Sequence, residues 1–141
     1  MRRNAAAAWK GGFEDGKGTI STDSGVLSDT PYSFSARFEE GTGTNPEELI
    51  AAAHAGCFSM ALSGQLGLAG LTAEIIRTTA TVRLEKIDAG FAITSVHLDV
   101  RAKVPGADRL AFETAANNAK AGCPVSKLLN AEIIMEATLE E

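Results

Sequence analysis

Residues 74–104 read EIIRTTATVRLEKIDAGFAITSVHLDVRAKV. Apolar and polar side chains alternate on both sides of the short segment DAG at 88–90, which is the pattern of two half-buried strands joined by a tight turn. The alternation is regular in 74–87 and slips once in 91–104. A Pro-Gly pair at 105–106 then ends the pattern. This stretch predicts a long antiparallel hairpin that covers a core with one face.

The segment before the hairpin predicts a long helix with a well-marked start. Asn45 fits the N-cap, Pro46 the first helical position and Glu48 the third, which completes an Asn-x-x-Glu capping arrangement. The helix is predicted to run to about Gly67 or Gly70.

A second predicted helix, 108–121, follows the hairpin, and Gly122 suits its C-cap. Its inward residues are predicted to be Leu110, Phe112, Ala115, Ala116 and Ala119. A short helix then begins at Cys123 with proline in its first position, and residues 131–139 are predicted to form a closing strand.

The first part of the chain predicts three strands. Residues 5–10 and 17–22 form a hairpin around a glycine-rich turn. Residues 32–38, YSFSARF, alternate strictly and are predicted as a half-buried strand. The resulting order, βββαββαβ, keeps strands and helices largely apart, as in α+β folds. A chain of 141 residues is expected to form a single domain, 1–141.

The composition is that of an ordinary globular protein, with 45% hydrophobic residues, 22% charged residues and a net charge of −5. The negative charge argues against nucleic-acid binding. Residues 49–73 carry no formal charge and could span a bilayer, but their many small residues favour burial in protein rather than lipid. No signal-peptide pattern opens the sequence, so we expect a cytoplasmic protein whose cysteines rest as thiols.

The chain's two cysteines, Cys57 and Cys123, occupy different settings. A thiol must ionise to act as a nucleophile. Cys57 lies about three turns into the long helix, too far for the helix N-terminus to help, so it needs a nearby cation. Arg37 is the main candidate and His54 a weaker one. A unit charge in contact with the thiolate stabilises it by ~4 kcal/mol, which lowers the thiol pKa by ~3 units before the opposing effect of desolvation is subtracted.

Cys123 stands at an N-cap-like position before Pro124, where free backbone N–H groups favour an anion. This setting suits a resolving thiol or a leaving group in disulfide exchange. Spacing alone leaves open whether the two cysteines meet.

Glu47 is the carboxylate predicted to orient Arg37, since Glu48 is committed to capping. Glu47 and Cys57 are ten residues apart, which separates them by ~15 Å and about 80° along one straight helix. Either Arg37 bridges this gap, or Glu47 acts on the site of a second chain.

Structural interpretations compete with these assignments. Cys57 fits a packed, inert thiol, and His54 fits a packed helix residue better than a proton carrier. The cysteines and the two histidines, His54 and His97, would supply at most four metal ligands, but they lack the paired spacing of zinc sites. The small residues of the long helix predict close helix–helix packing. They are Ala53, Gly56, Ser63, Gly64 and Gly67.

Five segments together resemble the osmotically inducible protein C branch of the OsmC/Ohr family of thiol peroxidases. They are STDSGVL, YSFSARFEE, TNPEELIAAAHAGCFSMAL, DAGFAIT and AKAGCPVSKLL. The resemblance extends over nearly the whole chain, in order, and includes both cysteines. It implies an OsmC-like fold, with two long central helices against antiparallel sheets in an intertwined homodimer whose active sites lie at the subunit interface.

The resemblance also implies a reaction and the residues that perform it. Family members reduce organic hydroperoxides, and hydrogen peroxide less efficiently. Cys57 matches the peroxidatic cysteine, Cys123 the resolving one, and Arg37 and Glu47 the charged site residues. In the sister branch the arginine comes from nearer the N-terminus, so the role of Arg37 depends on the branch.

The implied cycle passes through a Cys57 sulfenic acid and a Cys57–Cys123 disulfide, which an external dithiol reduces. A lipoyl group serves as that dithiol in the sister branch, and no metal, haem or flavin is expected. The alternative function is a non-catalytic dimer of this fold that binds a small ligand.

Overall fold

The computed structural model describes every residue, Met1–Glu141, and contains two three-stranded sheets and four helices. This is the predicted α+β class. The chain divides into two compact units, Met1–Leu49 and Ile50–Glu141. The assignment of the chain to a single domain stays a prediction.

The first unit contains an antiparallel sheet in the order β1-β2-β3 and a short helix. Its elements are β1 (Ala5–Lys10), β2 (Lys17–Thr22), β3 (Thr30–Tyr32) and α1 (Phe34–Phe38). The predicted first hairpin is confirmed, with Ala7 opposite Ile20. Gly18 of β2 lies under the Trp9 and Tyr32 rings, and a Cβ at this position would overlap both. A glycine is therefore required between these two aromatic side chains.

The strand predicted over 32–38 is wrong, because the chain leaves β3 after Tyr32 and forms the helix α1. The Ser33 hydroxyl caps this helix by accepting a hydrogen bond from the Ala36 N–H at 3.1 Å. Alternating aromatic residues also satisfy a helical spacing, since Phe34 and Phe38 are four residues apart and share one helix face. Their ring centroids lie 4.9 Å apart. The cap and this ring contact together favour the helix over the strand.

The long helix α2 (Pro46–Leu68) begins in the first unit and continues into the second. The Glu48 N–H donates to Asn45 Oδ1 at 2.8 Å, which confirms the predicted N-cap. The Glu48 carboxylate accepts from the Thr44 hydroxyl at 2.7 Å. Asn45 therefore caps the helix as predicted. The Glu48 side chain, the other half of the predicted capping arrangement, is bonded to the Thr44 hydroxyl instead.

The end of α2 is set by Gly70, which has a positive φ of 74°. The Leu71 N–H donates to the Leu66 carbonyl and the Gly70 N–H to the Gly67 carbonyl. These two bonds form a Schellman motif, which needs a left-handed residue at the glycine position. The helix thus ends within the predicted range.

The second unit contains a mixed sheet in the order β4-β5-β6. Its strands are β4 (Ile75–Ile87), β5 (Gly90–Lys103) and β6 (Glu132–Glu140). The long hairpin β4–β5 is confirmed, and the slip in its alternation is a register shift between Arg83 and Leu84 that leaves Thr94 unpaired. The expectation of antiparallel sheets is wrong for β6, which pairs in parallel with β5. A parallel pair needs a crossover connection, and two helices supply it.

These crossover helices are α3 (Arg109–Gly122) and α4 (Pro124–Leu128). The core of the second unit lies between the sheet and one face each of α2 and α3. It includes Phe58, Leu62, Leu66, Val96, Leu98, Val100, Phe112, Ala115, Ala116 and Ala119. Leu110, predicted to point inward, is 74% exposed because it lies two residues, or about 200°, from Phe112 around the helix. The predicted C-cap is also one residue early, since Gly122 is still helical and Cys123 is the cap.

Only one stripe of α2 is buried within this chain. His54, Phe58, Leu62 and Leu66 recur every fourth residue and are fully buried, whereas Met60 is 79% exposed and Leu68 83%. By length and composition alone α2 could cross a membrane, and 22% of its most apolar window is buried. The expectation that this helix is buried in protein therefore holds within the chain for one face only.

Substitution of Phe112 by alanine is expected to lower the free energy of unfolding by about 3–5 kcal/mol. The Phe112 ring is 1% exposed and contacts the core, so its removal loses apolar burial and leaves a cavity. Leu110→Ala on the same helix is the matched control, with an expected change within about 0.5 kcal/mol. Urea denaturation of both variants measures the difference, and equal losses would contradict the assigned helix faces.

Candidate functional site

The two cysteines meet in the second unit. Cys57 on α2 and Cys123 at the α3–α4 junction are free thiols whose Sγ atoms lie 2.8 Å apart. This separation allows a direct S–H···S hydrogen bond and exceeds the ~2.05 Å of a disulfide. Cys57 is partly exposed and Cys123 is fully buried. The tertiary structure thus answers the question that spacing left open.

Local structure frees the Cys123 sulfur for this contact. The backbone of Cys123 ends α3 and begins α4, since its N–H donates to the Ala119 carbonyl at 2.9 Å and its carbonyl accepts from the Lys127 N–H at 3.1 Å. Its predicted N-cap position is confirmed, but the thiol makes no capping hydrogen bond. Pro124 occupies the first turn of α4. The sulfur therefore faces Cys57.

The surroundings of Cys57 do not favour its ionisation within this unit. Burial raises the pKa of the Cys57 thiol, and the hydrogen bond with Cys123 raises it further. The Val125 N–H opposes this by donating to the sulfur, but it is outweighed. No cationic side chain is among the groups that shift this pKa. Activation of Cys57 therefore requires a positive charge from elsewhere, as its position within the helix predicts.

The pKa of Cys123 moves in the opposite direction. Burial raises the pKa of Cys123, but the contact with the Cys57 thiol and the nearby polar groups of Ser126 and Val125 outweigh burial and lower the pKa. Either sulfur can donate in the Sγ–Sγ contact. The opposed shifts favour ionisation of Cys123 before that of Cys57. This is the electrostatic character expected of a resolving or leaving thiol.

Arg37 and Glu47 form a bidentate ion pair in the first unit. Arg37 Nη2 lies 2.8 Å from Glu47 Oε1, and Arg37 Nε lies 3.2 Å from both carboxylate oxygens. The guanidinium also lies over the Phe38 ring, 5.1 Å from its centroid. Glu47 is 9% exposed, so the carboxylate is held firmly against the guanidinium. The carboxylate selected to orient Arg37 does contact it within one chain, and the catalytic roles of both residues stay predictions.

An apolar pocket of about 270 Å³ adjoins Arg37 in the same unit. Its lining includes most of the chain's aromatic residues and consists of Trp9, Phe13, Tyr32, Ser33, Phe34, Arg37 and Phe38. Sequence reasoning missed this pocket. The concentration of aromatic residues before position 39 is the signal that could have indicated it.

His54 is fully buried, and its Nε2 lies 2.8 Å from the Ser126 hydroxyl oxygen. Burial lowers the pKa of His54. The ring is therefore a poor source of positive charge for Cys57, as expected from the preference for Arg37. His97 instead lies 3.4 Å from Glu136. No group of three or more metal-ligating side chains is assembled.

Comparisons with known proteins agree with this fold. The family described as OsmC-like protein matches residues 39–138. The protein named peroxiredoxin OsmC from Escherichia coli K12 is 54% identical over 140 residues, which cover 99% of this chain and 98% of that protein.

Two solved structures extend the comparison to the fold. The organic hydroperoxide resistance protein OhrB of Bacillus subtilis is 28% identical with a TM-score of 0.70, over 96% of this chain and 98% of that one. An OsmC-like protein from Mycoplasma pneumoniae has a TM-score of 0.78 at 14% identity, over 100% and 99% of the two chains, and supports the fold alone. The architecture is thus that of the OsmC/Ohr class. The chain belongs to the OsmC family.

Proposed function

We propose that this protein is a cysteine-based peroxidase that reduces organic hydroperoxides, and hydrogen peroxide more weakly, in the response to oxidative stress. The observation that carries the proposal is the contact between two free thiols at 2.8 Å. The names of its relatives support the same reaction, since one is a peroxiredoxin and others are organic hydroperoxide resistance proteins.

The cycle begins at Cys57, the more exposed of the two thiols. Its thiolate attacks the distal peroxide oxygen, the O–O bond breaks, and the alkoxide leaves as the alcohol after taking a proton. Cys57 becomes a sulfenic acid. Cys123 then attacks the Cys57 sulfur, the S–S bond forms, the S–O bond breaks and water leaves. The sulfurs need to approach by less than about 1 Å to reach the disulfide distance.

Arg37 supplies the positive charge that Cys57 lacks within its own unit, and Glu47 orients the guanidinium. This assignment is supported by the bidentate geometry of the pair. An arginine keeps its charge at all relevant pH values, so it lowers a thiol pKa without titrating itself.

The substrate class is supported by the aromatic pocket beside Arg37. A lining of five aromatic side chains favours an apolar substituent on the hydroperoxide. A volume of about 270 Å³ suits a compact group such as the cumyl substituent.

The enzyme uses no metal, haem or flavin, because both oxidation and resolution occur at sulfur. An external dithiol of the lipoyl type reduces the disulfide by exchange, entering at the partly exposed Cys57. Free thiols at rest are typical of the cytoplasm, which we propose as the location.

We propose that the working form is a homodimer that covers the exposed face of α2. Met60→Asp is expected to shift the protein towards the monomer, because it places a charge in an apolar interface. Analytical ultracentrifugation measures the mass, with Leu110→Asp on α3 as the control for an exposed leucine. A dimer of unchanged stability in Met60→Asp would contradict this location of the interface.

The experiment that tests the proposed function follows cumene hydroperoxide consumption with dihydrolipoamide as reductant. We expect multiple turnovers, and mass spectrometry of protein oxidised without reductant is expected to find the Cys57–Cys123 disulfide. Binding of cumene hydroperoxide without its consumption would instead favour a non-catalytic dimer that binds small ligands in the aromatic pocket.

A further inference from the structure

Phe13 differs from the other aromatic residues that line the pocket beside Arg37. It comes from the turn between β1 and β2, whereas the others lie on β1, at the end of β3 and in α1. Phe13 is also 62% exposed. It therefore buries little surface in the fold itself, and neither the core nor the proposed cycle accounts for a large apolar residue at this position.

Despite its exposure, the Phe13 ring contacts two rings of α1. Its centroid lies 5.2 Å from that of Phe34, edge to face at 81°, and 6.0 Å from that of Phe38, tilted by 59°. Because Phe34 and Phe38 also contact each other, the three rings form one continuous aromatic wall. Trp9 and Tyr32, whose centroids lie 5.3 Å apart, form the rest of the aromatic lining.

The turn that carries Phe13 is tightly closed. The Gly16 N–H donates to the Gly12 carbonyl oxygen at 2.8 Å, which closes the turn around residues 13–15. A Cβ at Gly16 would overlap this carbonyl and the indole nitrogen of Trp9. The turn is thus packed against a residue of the pocket lining, and this packing fixes where the Phe13 side chain begins.

We propose that Phe13 is a specificity-determining residue, which makes the pocket select hydroperoxides that carry an aryl group over those with alkyl groups alone. This role rests on the proposed function and deepens it by specifying the substrate class. An aryl group in the pocket meets the exposed Phe13 ring in the edge-to-face or offset contact that aromatic pairs prefer. It also covers apolar surface of Phe13 that is otherwise in water, and a smaller alkyl group covers less of it.

The aromatic wall also extends to the charged part of the pocket. The Arg37 guanidinium carbon lies 5.1 Å from the centroid of the Phe38 ring, which the Phe13 ring contacts. A substrate ring held against the wall therefore binds beside the residue proposed to activate the thiol. Aryl selection by Phe13 then acts on the substrate of the same reaction.

Cumene hydroperoxide and tert-butyl hydroperoxide are matched substrates, since a phenyl group in the first replaces one methyl group of the second. We expect Phe13→Ala to lower kcat/KM about tenfold for cumene hydroperoxide and by no more than about twofold for tert-butyl hydroperoxide. Phe13→Leu keeps an apolar side chain without a ring and should lower the ratio of the two values about threefold. Phe13→Tyr keeps the ring and should retain the wild-type ratio.

Val26→Ala is the matched control, because Val26 is an exposed apolar residue of the first unit that does not line the pocket. It should leave both kcat/KM values unchanged. Circular dichroism of each variant is expected to match the wild-type spectrum, since the replaced side chains are largely exposed.

Binding is measured separately from catalysis through Trp9, which is the only tryptophan of the chain and lines the pocket. Cumyl alcohol, the product of cumene hydroperoxide reduction, is titrated into the protein while the tryptophan fluorescence is followed, and tert-butanol is the alkyl counterpart. We expect cumyl alcohol to change the Trp9 emission at lower concentration than tert-butanol does. Phe13→Ala should weaken the affinity for cumyl alcohol about tenfold.

Two results would overturn the inference. If Phe13→Ala retains the wild-type ratio of kcat/KM values and the wild-type affinity for cumyl alcohol, its ring does not contact the substrate. If Phe13→Leu matches the wild type in both measurements, an apolar side chain suffices and the ring selects nothing. A wild-type protein that consumes neither hydroperoxide would instead refute the proposed function, and the Trp9 titration would still decide whether Phe13 selects aryl ligands.

Discussion

Cys57→Ser is expected to abolish peroxidase turnover, lowering the rate of cumene hydroperoxide consumption by at least about 10³-fold. A serine hydroxyl does not ionise near neutral pH and does not form the sulfenic acid on which the cycle depends. The substitution removes one partly exposed sulfur and leaves the buried core residues of α2 in place. Loss of activity with an unchanged circular dichroism spectrum would identify a chemical role.

Cys123→Ser is the informative partner of this variant. It is expected to consume about one equivalent of hydroperoxide per site and then stall as a Cys57 sulfenic acid that a dimedone probe traps. The two variants separate the thiols by function, although the thiols lie 2.8 Å apart. Wild-type turnover in Cys57→Ser would mean that Cys57 is a packing residue. Equal behaviour of the two variants would remove the distinction between an attacking and a resolving thiol.

Arg37→Leu is expected to slow the oxidation of Cys57 by about 10–100-fold at pH 7. A contact charge can lower a thiol pKa by ~3 units, and partial exposure of the Arg37 side chain, at 35%, reduces this effect. Without the cation, burial and the Cys123 hydrogen bond leave the pKa of Cys57 raised. Less thiolate is then present at neutral pH, and the rate should rise about tenfold per pH unit until the pKa is reached.

The measurement is the pH dependence of Cys57 oxidation in single turnovers. Arg37→Lys keeps the charge but not the bidentate contact with Glu47, so an intermediate rate is expected. Arg101→Leu, which removes an exposed arginine from β5, should reproduce the wild-type profile. If Arg37→Leu has the wild-type pH profile, the activating charge comes from another residue.

Local signals in the sequence were sufficient for most of the secondary structure. Asn45 caps α2 through a single side-chain bond to the Glu48 N–H, and the interaction involves only residues three apart. The hairpin β4–β5 follows from alternation and a short turn, and even its bulge at Thr94 is visible as a slip in the pattern. Such elements depend on neighbouring residues, so a sequence pattern can predict them.

The errors occurred where a local pattern admitted two solutions. The spacing of Phe34 and Phe38 fits both a strand face and a helix face, and the Ser33 cap decided in favour of α1. The direction of β6 is likewise invisible in its alternation, because parallel and antiparallel strands share the same period of two.

The sequence by itself determined which groups could do chemistry: two thiols, an arginine and a carboxylate in a setting that matches one family. Only the tertiary structure decided how the thiols act on each other. Cys57 and Cys123 are 66 residues apart in the chain, and His54 and Ser126 are 72 apart. Their contacts depend on the packing of α2 against the α3–α4 junction. The pKa shifts follow from the same packing, since they are set by burial and by hydrogen bonds that no pattern of neighbouring residues encodes.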